Sequence, residues 1–164
     1  EACVFFSRAD DHQSLILRPK TFSDDATPAG NGVAARVLIR LGYLLGETRY
    51  IDAAEATLRS ARAAIERYPH GHGTLLMALE DFTSPPVMLV LRGESDELDV
   101  WRSEIDKLYD PHRMIVAVPS DAKNLPAALA GKRALGGTVA YVCRGMTCSP
   151  PVPTLGELVR SLKS

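Results

Sequence analysis

The chain has 164 residues, 46% of them hydrophobic and 24% charged, with a formal net charge of −1. That length fits one good core or two small subdomains, and the balance of charge excludes the overall basic field that recruits nucleic acid or anionic membrane. No apolar run approaches the roughly 18 residues that a membrane-spanning helix needs, so neither nucleic acid nor membrane is an expected partner. Three cysteines, Cys3, Cys143 and Cys148, are too few for a disulfide scaffold, and their odd number suits a reducing compartment, so a cytoplasmic location is expected.

The sequence opens at Glu1 and runs directly into a β-prone stretch, Cys3-Val4-Phe5-Phe6, followed by Leu15-Ile16-Leu17 and Arg18-Pro19. It reads as a piece of a longer protein. Residues 21–32 form a polar, turn-rich loop. A helical hairpin then occupies roughly 32–67. Its first helix repeats Val33, Val37, Leu41 and Leu44, and also Ala34, Leu38, Leu41 and Leu45. Being apolar over most of its circumference apart from Arg36 and Arg40, it is expected to be buried on nearly all sides. Gly46 supplies the stop, and Tyr50, Ala54, Leu58, Ala61 and Ile65 make the face of the second helix. A third helical segment, 73–82, groups Leu75, Leu76, Leu79 and Phe82.

Ser84-Pro85-Pro86 forbids helix continuation and marks a boundary between a helical region, 1–85, and an α/β region, 86–164. Beyond it the apolar period changes. Val87 to Leu91, Met114 to Val118 and Thr138 to Cys143 read as buried strands. Leu98, Trp101, Ile105 and Leu108 define an amphipathic helix, and 124–130 a short one. Thr154 and Glu157 form a capping box before a last helix carrying Leu155, Leu158, Val159 and Leu162. The predicted class is α+β: helical hairpins followed by a small three-stranded parallel α/β subdomain with right-handed crossovers.

Two constellations carry chemistry. Asp24, Asp25, Thr27 and Asn31 stand at the mouth of the first helix, where carboxylates and an amide bind sugar hydroxyls or act as acid and base; Asp24, Asp25 and Thr27 also read as cap and turn formers. Asn31 needs partners if it is buried. Cys143 and Cys148, with four residues between them just past a strand, read as packing cysteines, as a reversible disulfide with α-carbons at the usual 4.4 to 6.8 Å, or as half of a metal site. Arg144 beside them favours thiolate. His70, His72 and His112 show no ligand spacing with these cysteines, so neither a metal nor a cofactor is assigned. Tyr68 to Gly73 reads as a helix-to-helix connection.

Several segments together resemble the C-terminal part of the YyaL-type, spermatogenesis-associated thioredoxin-domain family. They are Arg18-Pro19-Lys20, the run Asp25 to Ala35, Leu41-Gly42 with Arg49-Tyr50 and Ala53-Ala54-Glu55, and Ala140 to Arg144 with Cys148-Ser149. Gly32 departs from the serine common there. The resemblance implies that the hairpins are part of an (α/α)6 toroid similar to N-acylglucosamine 2-epimerases and six-hairpin glycosidases. It also implies that the partners are a thioredoxin-like domain and earlier hairpins that this chain lacks. The expected function is part of a carbohydrate-binding or carbohydrate-processing toroid, with Asp24, Asp25 and Asn31 facing a carbohydrate-like small molecule and no catalytic residue assigned. A client-holding interaction module and thiol–disulfide exchange through Cys143 and Cys148 are the alternatives. An apolar hairpin face without its toroid neighbours is also expected to be covered by another copy in solution or left exposed.

Overall fold

A computed structural model of the chain describes Phe5 and residues 21–163. Phe5 apart, the two short apolar runs before residue 20 lie outside the described residues, as does Cys3. The chain divides into two compact units, one holding residues up to 43 and Glu47–Ser84, the other Leu44–Gly46 and the residues from Pro85 onward.

The helical unit contains α1 (Gly30–Leu45), α2 (Thr48–Arg67) and α3 (Gly73–Thr83), with one 3₁₀ turn at Pro69–Gly71 between the last two. α1 ends where Gly46 takes φ +70° and the Glu47 amide donates back to the Gly42 carbonyl at 3.0 Å, the closure that a left-handed glycine permits. Ala35 and Ile39 of α1 meet Ala54, Leu58 and Ala61 of α2 and Leu75 and Ala78 of α3 in one core.

α1 is not buried on nearly all sides. Its buried residues are Asn31, Gly32, Ala35, Ile39 and Gly42, whereas Val33 and Val37 are 44% and 49% exposed. A helix that is apolar all round offers several faces, and here packing selects the face that carries Gly32, Ala35 and Gly42, whose small size lets backbones approach. A Cβ added at Gly32 would stand 2.9 Å from the Thr74 side chain, so a larger residue there would force α1 and α3 apart.

The second unit is a four-stranded sheet in the order β2-β1-β3-β4, made of β1 (Val87–Gly93), β2 (Arg113–Pro119), β3 (Val139–Arg144) and β4 (Thr147–Cys148). The helices are α4 (Ser95–Asp106), a single turn α5 (Ala127–Ala130) and α6 (Leu155–Lys163). β1 and β2 are parallel, joined by the α4 crossover. β3, however, runs antiparallel to β1, from Arg92↔Val139 to Val87↔Arg144. The expected three-stranded parallel sheet is therefore corrected to a mixed four-stranded one within the α+β class. A parallel β3 would require the chain to return across the sheet, usually through a packed helix. Residues 120–138 form only the single turn of α5, and β3 starts from the end of the sheet at which β2 finishes.

Alternation along β1 divides the unit into two apolar layers. Leu89 and Leu91 pack with Leu98, Trp101 and Ile105 of α4 and Leu158 of α6. Met88 and Val90 pack on the opposite face with Leu129 and Cys143. The Glu157 amide donates to Thr154 Oγ1 at 3.3 Å, so half of the expected capping box holds the start of α6.

Candidate functional site

The two cysteines meet because of how the chain turns between them. β3 and β4 are joined by Gly145 and Met146 alone, and only Gly145 of these has positive φ, +58°. Positive φ confined to the first central residue is the type II′ pattern, whose twist matches that of the flanking strands. The turn sets the register Cys143↔Cys148 and Arg144↔Thr147. The Ser149 amide donates to the Val142 carbonyl at 2.8 Å, which makes 142 and 149 the hydrogen-bonded pair and 143 and 148 the non-hydrogen-bonded one, where side chains come closest. The cysteines are joined by a disulfide, with their α-carbons 3.9 Å apart. That is closer than the span expected from the sequence, because the two residues face each other directly.

The pair is asymmetric. Cys143 is 1% exposed, packed with Met88, Val90 and Leu129, whereas Cys148 lies at the surface on the outermost strand. Arg144, Met146, Thr147 and Ser149 around it are exposed as well.

In the polar loop, two of the residues singled out from the sequence, Asp24 and Asn31, are held by the fold itself. Asp24 Oδ1 accepts from the Ala29 amide at 2.7 Å and from Thr74 Oγ1 at 2.6 Å. Its Oδ2 accepts from the Thr74 amide at 2.8 Å. A carboxylate 50 residues away in sequence thus satisfies a free amide at the α3 N-terminus, where the helix dipole favours negative charge. Burial pushes the Asp24 carboxyl up, but the bonds from Thr74 and Ala29, with His72 adding attraction, outweigh it and hold the group below its ordinary value.

Asn31 is 3% exposed. Its Oδ1 accepts from the Phe5 amide at 2.7 Å, and its Nδ2 donates to the Phe5 and Thr21 carbonyls, each at 3.0 Å. Asp25 is exposed, and its side chain makes no hydrogen bond among the described residues. It lines a cavity of about 450 Å³ with Thr21, Ser23, Thr27 and Asn31.

Sequence reasoning missed one buried ionic cluster. Asp81 is fully buried, and its Oδ2 accepts from Arg36 Nε at 3.0 Å and Arg40 Nε at 3.1 Å, tying α3 to α1. Burial alone would raise its pKa, but the two guanidinium groups reverse the effect and lower it. The available signal was two arginines four residues apart on an otherwise apolar helix, which is one face and one partner's reach. His72 is buried with Nδ1 2.7 Å from the Tyr68 carbonyl, within the connection between α2 and α3. Among the described residues, no three metal-ligating side chains cluster, and no helix is long and apolar enough to cross a membrane.

The fold and site define an α+β polypeptide, with a helical unit and a mixed sheet that presents a disulfide hairpin. No family model matches the chain. It is 26% identical over 96% of its length to human spermatogenesis-associated protein 20, and 24% identical over the same share to the rat protein of that name. An uncharacterized protein of Caenorhabditis elegans is 25% identical over 94% of the chain. These likenesses support the family resemblance seen in the sequence. The chain spans about a fifth of the length of these relatives, 21% of the human one.

Proposed function

We propose that Cys143 and Cys148 undergo thiol–disulfide exchange with a dithiol partner, the sheet unit acting as the scaffold that presents them. The observation that carries this reading is the asymmetry of the pair, one sulfur residue buried in the core and the other at the surface of an edge strand. Exchange requires an incoming thiolate to reach one sulfur, and access selects Cys148. The partner thiolate attacks Cys148 Sγ, the Cys143–Cys148 bond breaks, and the electron pair leaves on Cys143 Sγ, which takes up a proton. The partner's second thiolate then attacks the mixed disulfide, closing the partner's own disulfide and releasing Cys148, which is protonated in turn. Two electrons and two protons pass from the dithiol to this chain.

Titration with dithiothreitol, followed by alkylation and mass mapping, tests the reading. Both thiols should be released together and close again on mild oxidation. In the single variants, Cys148 of Cys143→Ser should alkylate faster than Cys143 of Cys148→Ser. Thiols that stay alkylatable after oxidation, or a faster Cys143, would remove the exchange reading.

A second reading, a carbohydrate-like ligand bound at the toroid mouth, is supported by the hydroxyl- and carboxylate-lined cavity at Ser23, Asp25 and Thr27. There Asp25 is the candidate contact, since Asp24 and Asn31 are engaged by the fold. Calorimetry with a panel of monosaccharides should register binding that Asp25→Asn weakens at unchanged Tm. Heats indistinguishable from dilution across the panel would end that reading.

A further inference from the structure

Arg92 is the next-to-last residue of β1, at the carboxyl end of the parallel β1–β2 pair. It is 6% exposed. By alternation it shares a face with Met88 and Val90, and its register partners are Val118 on β2 and Val139 on β3, both buried. That face supplies thioether, disulfide, aromatic and aliphatic groups, and Arg92 forms no ion pair among the described residues. Two carboxylates at the same end of the sheet are engaged elsewhere. Glu94 accepts from Ser120 Oγ at 2.5 Å, and Glu97 accepts from the Thr138 amide and hydroxyl at 3.2 and 2.5 Å.

Within the guanidinium, Nε and Nη1 are shut off from solvent and donate to nothing. Nη2 is the one nitrogen that keeps access to solvent. An always-charged group buried without an acceptor is costly, because it loses its hydration and gains no partner. Carboxyl ends of parallel strands are also where open α/β sheets receive ligands.

We propose that Arg92 is the anchor of a binding site for a small oxyanion, a carboxylate or phosphate group that enters beside Nη2. An oxyanion beside Nη2 accepts a charge-assisted hydrogen bond from that nitrogen, the interaction that makes arginine suited to these groups. Such a ligand supplies both the missing acceptor and the missing charge. It lies outside the cysteine hairpin and the polar loop.

The test uses the full 164-residue chain with inorganic phosphate as probe, sodium acetate as the carboxylate comparison and sodium chloride to hold ionic strength constant. Phosphate or acetate should raise the Tm of the wild-type chain saturably, and Arg92→Met should abolish the rise. Arg92→Lys, which keeps the charge but loses the donor at the Nη2 position, should bind about tenfold more weakly, the worth of one charge-assisted hydrogen bond. Should Arg92→Met fail to fold, the Arg92 Nε–H resonance of the wild-type chain provides the second readout, and it should move along the same saturation curve. The proposal is overturned if Arg92→Met responds like wild type, if neither anion shifts the wild-type Tm, or if that resonance stays fixed.

Discussion

Asn31 is the residue whose role is most constrained, since both ends of its amide are spent on backbone groups of Phe5 and Thr21. Asn31→Ala leaves two carbonyls and one amide without partners, so it should cost about 1–3 kcal/mol of stability, read as a lower denaturation midpoint in urea at unchanged slope. Asp24 and Asp81 add a pH dependence with a definite sign. Both carboxyls have folded-state pKa values below the unfolded value of 3.8. The stability they contribute is present above that value and is lost as pH falls through it toward the lower folded-state values. Urea midpoints measured from pH 6 down to pH 3 should fall, and Asp81→Asn should flatten the fall while lowering the midpoint at neutral pH.

At the scale of elements, the start of α6 offers a clean test. Thr154 Oγ1 accepts the Glu157 amide, so Thr154→Ala should cost about 0.5–2 kcal/mol, observed as faster amide exchange in α6 with α4 unchanged. This capping signal, the change of apolar period at Pro85-Pro86, and the strands and helices on either side were legible in the sequence, because each is written in neighbouring residues. What lay hidden depends on residues far apart. The direction of β3 is decided by the connection over residues 120–138, not by anything in Val139–Arg144. The buried face of α1 is decided by Thr74 and Ile51, whose approach Gly32 and Gly42 permit. Asp24 and Asn31 were legible as polar groups in need of partners. Those partners stand 50 and 26 residues away, so an expected ligand-facing loop is also a fastening of α3 and of Phe5. For the cysteines, spacing suggested a bond, and the two-residue turn and its register placed them face to face.

The whole molecule divides into two compact units, and each carries its own chemical lever. The depressed carboxyls Asp24 and Asp81 belong to the unit built on α1, α2 and α3. The disulfide belongs to the unit built on the sheet. Closing the loop from Cys143 to Cys148 restricts the unfolded chain by about 2 kcal/mol in the chain-entropy estimate, and reduction removes that term from the sheet unit alone. Amide exchange followed residue by residue separates the two effects. Lowering the pH from 6 to 3 should reduce protection first at Ile39 and Leu75, in the core of the helical unit. Adding dithiothreitol at pH 7 should reduce it first at Val90 and Ala140, on the strands flanking the hairpin, while Ile39 and Leu75 keep their rates. If reductant lowers protection equally at Ile39 and Ala140, the two units open as one cooperative body, and the assignment of a separate lever to each is wrong.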